Sequence, residues 1–310
     1  MQRDEGGTTE AAVKVVIAGG TGFLGRALVS ELAAQGHEVV LLTRGSRAAA
    51  VSSVTWAPDG SAGEWAEAID GAGAVVNLAG EPIAGGRWTA ARKQAIRESR
   101  VLATRSLVAA FRQARRPPPV LVGGSGQGYY GDRGDEILTE ESAPGGDFLA
   151  GVCVEWEAEA LRAADRSRVV LLRTGIVLDR DEGALPEMAR PFRLFAGGPL
   201  GSGRQFVSWI HRDDWVRLAA HAVVDERFAG PLNLGSPNPV TNAEFARAIG
   251  GALGRPSWLR TPKAALRAAL GEMADALLLS SQRMQPAKAT RLGYRFLHPE
   301  AGPALAGILG

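Results

Sequence analysis

The sequence predicts an α/β fold in which a doubly wound parallel sheet carries a smaller C-terminal lobe. Short runs of β-branched and aliphatic residues alternate with stretches of helical periodicity up to about residue 175. A glycine-rich turn joins the first apolar run to the first helical stretch. Such alternation is typical of parallel strands that are joined by right-handed crossovers.

The first strand, turn and helix lie within residues 13–44. The apolar run at 15–17 predicts a buried strand, the next helix has one leucine-rich face, and a second buried strand is predicted at 39–43. The turn between the first strand and the helix reads Gly19, Gly20, Thr21, Gly22, Phe23, Leu24 and Gly25. This pattern is typical of the dinucleotide-binding Rossmann fold, in which a pyrophosphate lies on the helix N-terminus.

The end of the second strand indicates which nicotinamide cofactor is bound. An acidic residue there would bind the ribose hydroxyls of NAD, whereas here Thr43 is followed by Arg44, a cation suited to a 2′-phosphate. We therefore predict NADP(H) rather than NAD(H). The alternative is that Arg44 is an ordinary solvated charge.

Another apolar run, at 74–76, ends in polar and small residues. Ligands of open α/β sheets bind at the carboxyl ends of the strands, so we predict cofactor contacts from this segment. The predicted contacts are Asn77, Leu78, Ala79 and Gly80. For Asn77 the alternative is a strand-end cap. Thr89 is predicted to cap a helix that runs to about residue 115.

The strand at 120–122 leads into a glycine-rich loop that contains Ser125, Tyr129 and Tyr130. Loops at strand ends are where such folds carry their chemistry. We predict Ser125 or Tyr130 as a proton-transfer residue and Tyr129 as a substrate contact. The alternative is that the tyrosines pack and orient the loop.

A helix is predicted over residues 148–164, followed by a buried strand at 169–175. In this helix we expect Trp156 and Leu161 to face inward and the glutamates to face solvent. The glutamates are Glu155, Glu157 and Glu159.

Three segments are predicted along the chain. Residues 1–12 are expected to be a disordered lead-in, because the first strand begins only after them. Residues 13–173 form the NAD(P)-binding domain, whose sheet is completed by parts of 207–236. Residues 174–310 form the C-terminal substrate lobe.

The charge, hydropathy and cysteine content of the sequence limit the partners and the compartment that we expect. Lysine plus arginine number 35 against 33 acidic residues, a net charge of +2, so charge alone predicts neither nucleic-acid nor membrane partners. No apolar run approaches the roughly 18 residues of a membrane span. The single cysteine, Cys153, excludes an internal disulfide and fits a reducing compartment. We expect a soluble cytoplasmic protein with no metal site, since no Cys/His spacing indicates one.

Taken in order, these motifs resemble the extended and atypical short-chain dehydrogenase/reductase superfamily. More narrowly, the chain is similar to the atypical group called epimerase family proteins, which are sugar-nucleotide-epimerase-like. The resemblance covers about residues 13–309 and implies a small C-terminal domain at about 250–310. Beyond the glycine turn and the segment 77–80, it is carried by residues 128–136, 172–178, 208–214 and 239–245.

The resemblance also exposes a departure. Catalytic members of the superfamily carry Tyr-x-x-x-Lys at the start of the helix after the glycine-rich loop, where the lysine lowers the tyrosine pKa. Here the equivalent positions are Phe148 and Val152, and neither side chain can transfer a proton. Two hypotheses follow: an NADP(H)-dependent oxidoreductase or nucleotide-sugar epimerase-like enzyme, or a non-catalytic NADP(H)-binding protein that regulates or docks a partner.

The substrate is expected to be a small molecule, and an anionic one is favoured because several arginines belong to segments around the predicted cleft. The alternative for each arginine is surface solvation. For His211 the alternative is a structural hydrogen bond. Cys153 follows the position of the absent lysine; we expect it to be a small buried hydrophobe, and the alternative is a thiol that faces the cleft. The substrate candidates are Arg100, Tyr129, Arg204 and His211, with Arg173 as a further cation near them.

Overall fold

The computed structural model describes residues 12–45 and 51–310, so the expected lead-in at 1–12 lies, apart from its last residue, outside the described residues. The strands are β1 (Lys14–Ala18), β2 (Glu38–Thr43), β3 (Ser52–Thr55), β4 (Ala74–Asn77), β5 (Val120–Gly126), β6 (Ile137–Leu138), β7 (Arg168–Thr174), β8 (Ile176–Leu178), β9 (Phe206–Val207), β10 (Trp209–His211), β11 (Gly230–Leu234), β12 (Val240–Thr241) and β13 (Arg283–Met284).

The helices are α1 (Phe23–Ala34), α2 (Ala90–Gln113), α3 (Phe148–Leu161), α4 (Leu185–Arg193), α5 (Arg212–Val224), α6 (Asn242–Leu253), α7 (Lys263–Leu270), α8 (Glu272–Ala274), α9 (Ala287–Arg291) and α10 (Ala301–Leu309). Short 3-10 helices span Glu64–Ala68 and Gln127–Tyr130, and a π-helical turn spans Asp275–Leu279. None of the helices in the described parts of the chain is both long and apolar enough to cross a membrane.

Seven parallel strands form the central sheet in the order β11-β7-β5-β4-β1-β2-β3. From β1 the chain moves outward to β2 and β3, then returns to place β4, β5, β7 and β11 on the other side. The direction therefore reverses between β1 and β4. Open α/β sheets bind ligands at such a switch point, and the predicted doubly wound fold is confirmed.

Both faces of the sheet are covered by helices, which is why its strands are almost continuously apolar. On one face, Leu28 of α1 and Trp215 of α5 pack against the strands. On the other face, Leu107 and Phe111 of α2 pack with Leu121 of β5. The carboxyl edge of the sheet stays open between these two layers.

The expected orientation of α3 is wrong in part. Glu157 and Glu159 are only 5% and 4% exposed, whereas Leu161 is 47% exposed and is the last residue of the helix. The two glutamates are buried because arginines compensate their charge: Arg173 pairs with Glu157, and Arg105 with Glu159 at 3.2 Å. A sequence pattern that treats every charge as solvent-facing cannot detect such pairs.

The C-terminal lobe shares its core with the sheet. β11 is the seventh strand of the sheet, and β10 pairs with β8 beside it. Residues after β13 return to the sheet, where Ala289 is fully buried and Tyr294 and Phe296 pack against the same cluster as β1. A separate cluster joins α4, α6 and α10. Helix α6 begins with the predicted capping box, in which Thr241 and Glu244 bond reciprocally.

Candidate dinucleotide-binding site

The glycine turn after β1 is packed too tightly for side chains at two positions. Gly19 has a φ of +80°, and a Cβ there would lie 2.6 Å from the carbonyl carbon of Leu78. A Cβ on Gly25 would lie 2.2 Å from the carbonyl oxygen of Gly19. Gly22 caps α1 and donates its N–H to Gly19 O at 3.0 Å. The turn thus presents bare backbone at a helix N-terminus, which suits a pyrophosphate.

Asn77 organises the neighbouring strand end from a fully buried position. Its Oδ1 accepts the N–H of Ala79 at 3.1 Å, and its Nδ2 donates to Thr104 Oγ1 at 2.9 Å. Both ends of the amide are therefore occupied within the protein. This arrangement favours the strand-end cap, with Leu78, Ala79 and Gly80 held in place for contact with a ligand.

A cleft of about 750 Å³ lies over this edge of the sheet. Seven of the twelve predicted cofactor residues line it, namely Gly19, Thr21, Gly22, Arg44, Leu78, Ala79 and Gly80. The other five, Gly20, Phe23, Leu24, Gly25 and Asn77, support the turn and the strand end from outside the cleft wall. Further wall residues that the sequence did not single out include Trp56, Pro58, Glu81, Glu98, Ser99 and Leu102. They belong to the irregular segment after β3, the loop after β4 and one side of α2, and no motif marks them.

Arg44 stands at the rim of this cleft, directly after β2. Its side chain is 75% exposed, and its Nη1 lies 3.6 Å from Glu81 Oε1 across the cleft. Glu81 also lies 3.6 Å from Nη1 of Arg92 on α2. Of the two arginines beside Glu81, Arg44 is therefore the more exposed, and its side chain has more room to change position.

Ser125 is fixed by a buried ion pair at the carboxyl end of β5. Its hydroxyl donates to Glu157 Oε1 at 2.7 Å, and Arg173 binds both oxygens of that carboxylate, at 2.9 and 2.8 Å. Burial alone would lower the pKa of Arg173, but hydrogen bonds and charge from Glu157 raise it above its ordinary value. The hydroxyl proton of Ser125 is directed at Glu157.

Tyr130 is fully buried, and its hydroxyl is surrounded by protein groups. It donates to Asn233 Oδ1 at 2.6 Å, lies 3.0 Å from Thr139 O and accepts from Arg173 Nη1 at 3.1 Å. Burial raises the pKa of Tyr130 to about 12. This environment favours a role in orienting the loop over proton transfer. The ring of Tyr129 lies 3.5 Å from the guanidinium carbon of Arg173.

Phe148 and Val152, where the resemblance places the absent tyrosine and lysine, lie on the first turn and a half of α3. The ring of Phe148 packs edge-on against Trp88, and Val152 is buried. Beside them the thiol of Cys153 contacts Gly126 O at 3.8 Å, and burial together with the nearby Glu157 raises its pKa to about 11. Cys153 is therefore protonated and buried, which agrees with the small buried side chain expected for it.

The remaining substrate candidates lie on separate elements. Arg100 is buried, donates to the carbonyls of Glu81 and Ile96, and lies over the ring of Trp156 at 5.2 Å. Burial lowers its pKa. Arg204 is exposed in the turn before β9. His211 accepts the N–H of Asp213 on Nδ1, which is the cap of α5. Their roles in substrate binding stay predictions.

One group of potential metal ligands is present in the described residues. Ligand atoms of His211, Asp213 and His298 lie within 4.8 Å of one another. The imidazole rings of His211 and His298 are stacked with their centroids 3.8 Å apart, and Nδ1 of His211 already accepts a hydrogen bond. Capping of α5 accounts for the positions of His211 and Asp213, and the expectation of no metal site stays a prediction.

The fold, the switch point and the glycine cradle define a nucleotide-binding protein of the short-chain dehydrogenase/reductase type. The chain belongs to the NAD dependent epimerase/dehydratase family, whose profile matches residues 15–235. A second profile, a domain of unknown function called DUF1731, matches residues 261–308, within the C-terminal segment that the resemblance implied.

Whole-chain relatives narrow the group to epimerase family proteins. The chain is 41% identical to the chloroplastic SDR39U1 homolog of Arabidopsis thaliana, over 97% of this chain and 88% of that protein. It is 44% identical to epimerase family protein Mb2239 of Mycobacterium bovis, covering 94% and 96% of the two chains. The crystal structure of human SDR39U1 with NADPH matches with a TM-score of 0.88 and 37% identity, over 96% of this chain and 99% of that one.

Proposed function

We propose that this protein binds NADP(H) in preference to NAD(H) and acts as an oxidoreductase or nucleotide-sugar epimerase-like enzyme on a small molecule. The observation that carries the cofactor assignment is Arg44, an exposed cation at the end of β2 on the rim of the glycine-lined cleft. A 2′-phosphate needs a cation at this position, where NAD-binding proteins place a carboxylate. The human relative crystallised with NADPH supports the same assignment.

The residues present fit a dinucleotide, because Gly19 keeps this part of the cleft wall free of a side chain and Gly25 lets the turn pack closely against α1. Backbone N–H groups at the start of α1 would bind the pyrophosphate, and Arg44 would bind the 2′-phosphate. The bound cofactor supplies or accepts a hydride. At that end of the cleft the protein itself would hold the substrate and provide for the proton transfer that accompanies hydride transfer.

Ser125 is the side chain placed for that task. Its proton points to Glu157, so its oxygen is left to accept a hydrogen bond from a substrate hydroxyl. Both carboxylate oxygens of Glu157 are already engaged by Ser125 and Arg173, so we propose that the substrate or water supplies the proton. We therefore propose that Ser125 orients the substrate hydroxyl. Tyr130 would hold the glycine-rich loop after β5 in place.

The cofactor assignment is tested with the substitution Arg44→Asp. Loss of a charge-assisted contact worth about 1.5–3 kcal/mol is expected to raise the Kd for NADPH about 10- to 100-fold and to change that for NADH less than about twofold. Fluorescence titration with both cofactors measures this. The control is Arg190→Asp, because Arg190 is 73% exposed on α4 and lies outside the cleft. Equal titration curves for NADPH and NADH with the unmodified protein would overturn the proposed preference.

The second candidate is a non-catalytic protein that holds NADP(H) and regulates or docks a partner. It is favoured by Phe148 and Val152, because the resemblance implies tyrosine and lysine at these positions in catalytic members of the superfamily. Mixing the protein with NADPH and a panel of carbonyl compounds discriminates the two. Tight binding of NADPH without oxidation by any compound would support this candidate and count against the enzyme.

The proposal also covers the cell compartment of the protein and the kind of partner that it binds. We infer a cytoplasmic location from the single cysteine and the near-neutral charge, and a small-molecule ligand in place of nucleic acid or membrane. The Arabidopsis relative is named chloroplastic, so the compartment is best tested directly, by fractionating cells that produce the tagged protein.

A further inference from the structure

We propose that Glu81 is a specificity-determining residue of the cofactor site: its carboxylate holds Arg44 across the cleft and competes with the 2′-phosphate of NADP(H) for it. This inference rests on the proposed function, because it takes Arg44 as the phosphate-binding residue. It adds a second residue, in the loop after β4, that sets how strongly the protein prefers NADP(H) to NAD(H).

The sheet topology makes the Arg44–Glu81 pair a bridge over the cleft. Arg44 follows β2 and Glu81 follows β4, and these two strands lie on opposite sides of β1. Neighbouring strands are about 4.8 Å apart, so the two strand ends are separated by about 10 Å. The pair at 3.6 Å therefore spans the space above the end of β1, where Gly19 begins the cradle.

Glu81 is the fixed partner of this pair. Its N–H donates to Ser99 Oγ at 3.0 Å, and its carbonyl accepts from Arg100 Nη1 at 3.1 Å. Its carboxylate is held from the other side by Arg92, which also donates to Pro82 O. The backbone of Glu81 is thus fixed beside the cleft, and Arg92 remains next to its carboxylate when Arg44 leaves it.

Arg44 is the movable partner. Three quarters of its side chain is exposed, and Glu81 Oε1 is its ion-pair partner in the described residues. An exposed pair at this distance is weak, so a doubly charged phosphate with three acceptor oxygens can displace the carboxylate. Afterwards the displaced carboxylate remains beside the phosphate, and like charges repel. Both effects lower the affinity for NADP(H) and leave that for NAD(H) almost unchanged.

The test compares Glu81→Gln with the control Glu98→Gln. Glu98 lines the same cleft and bonds Gln94 instead of Arg44, so its substitution removes an equal charge from the same wall without releasing Arg44. Calorimetric titrations use NADPH, NADH and the fragments 2′,5′-ADP and 5′-AMP. We expect E81Q to bind NADPH and 2′,5′-ADP about 3- to 10-fold more tightly than the unmodified protein. Binding of NADH and 5′-AMP should stay within about twofold, and E98Q should change all four less than about twofold.

The possible failures are distinguishable. If the unmodified protein prefers NADPH but E81Q leaves that preference unchanged, the role of Glu81 is wrong and the proposed function stands. Weaker binding of all four ligands by E81Q, with an unchanged melting temperature, would show that Glu81 contacts the nucleotide itself and would also overturn this inference. If the unmodified protein binds neither cofactor, the proposed function fails and the inference fails with it.

Discussion

At the scale of single residues, the cofactor cradle depends on backbone that no side chain may cover. Gly19 and Gly36 both have positive φ values, of +80° and +87°, so each would be strained by a Cβ. They differ in their surroundings, because a Cβ on Gly36 meets nothing within 4 Å, whereas one on Gly19 meets the backbone of Leu78 and Ala79. Substitutions at these two positions therefore distinguish the effect of backbone strain alone from the effect of a clash within the cofactor site.

Gly36→Ala is expected to cost about 1 kcal/mol of unfolding free energy through strain alone and to leave NADPH binding unchanged. Gly19→Ala carries the same strain and also pushes the turn away from Leu78, so NADPH binding should fall at least about 10-fold. Urea unfolding and fluorescence titration of both variants measure the two effects. Equal losses of NADPH binding in the two variants would show that strain, not the close backbone contact, sets the affinity.

At the scale of elements, the link between α3 and β7 is a buried ion pair. Glu157 on α3 and Arg173 on β7 have side chains only 7% and 3% exposed. Each charge is tolerated because the other compensates it, and the remaining donors of Arg173 reach Tyr130 and the carbonyl of Glu140. The pair therefore fixes both Ser125 and the glycine-rich loop relative to the sheet.

Glu157→Gln is expected to lower the unfolding free energy by about 3–5 kcal/mol, because it leaves the Arg173 charge buried without a counter-charge. The control Glu155→Gln lies two residues away on the same helix, in an exposed pair with Arg97, and should cost less than about 1 kcal/mol. Urea titration followed by tryptophan fluorescence compares them. A loss below 1 kcal/mol for both variants would contradict the role given to the buried pair.

At the scale of the whole molecule, the C-terminal lobe and the sheet are joined by shared packing. Met284 of β13 is fully buried with Tyr130 and Leu138, which belong to the loop after β5 and to β6. Asp214 of α5, also buried, accepts the hydroxyl of Tyr294 at 2.9 Å and the N–H of Leu297 at 2.8 Å. These contacts predict that the two parts unfold together.

Met284→Ala is expected to cost about 2–5 kcal/mol and to shift one common transition to lower urea concentration. Truncation of a side chain in the same lobe that is 71% exposed, Leu194→Ala, should change stability by less than about 0.5 kcal/mol. Near-UV circular dichroism and tryptophan fluorescence should report the same midpoint. Two well-separated transitions would show instead that the lobe unfolds on its own.

The sequence by itself determined the elements whose signals are local. The run at 15–17, the glycines at 19–25, the cap at Thr89 and the capping box at Thr241 each lie within a few residues, and the structure forms all of them. Strand and helix in alternation were enough to predict the parallel sheet, because crossovers of one hand leave few topologies.

Only the tertiary structure decided which charges are buried and which residues meet across the cleft. Glu157 has the sequence signature of a solvent-facing glutamate, and its burial depends on Arg173, 16 residues away on another element. Glu81 carries no motif, yet the order of β4, β1 and β2 places it opposite Arg44. Such pairs depend on distances between segments that are remote in the chain, and local periodicity holds no information about those distances.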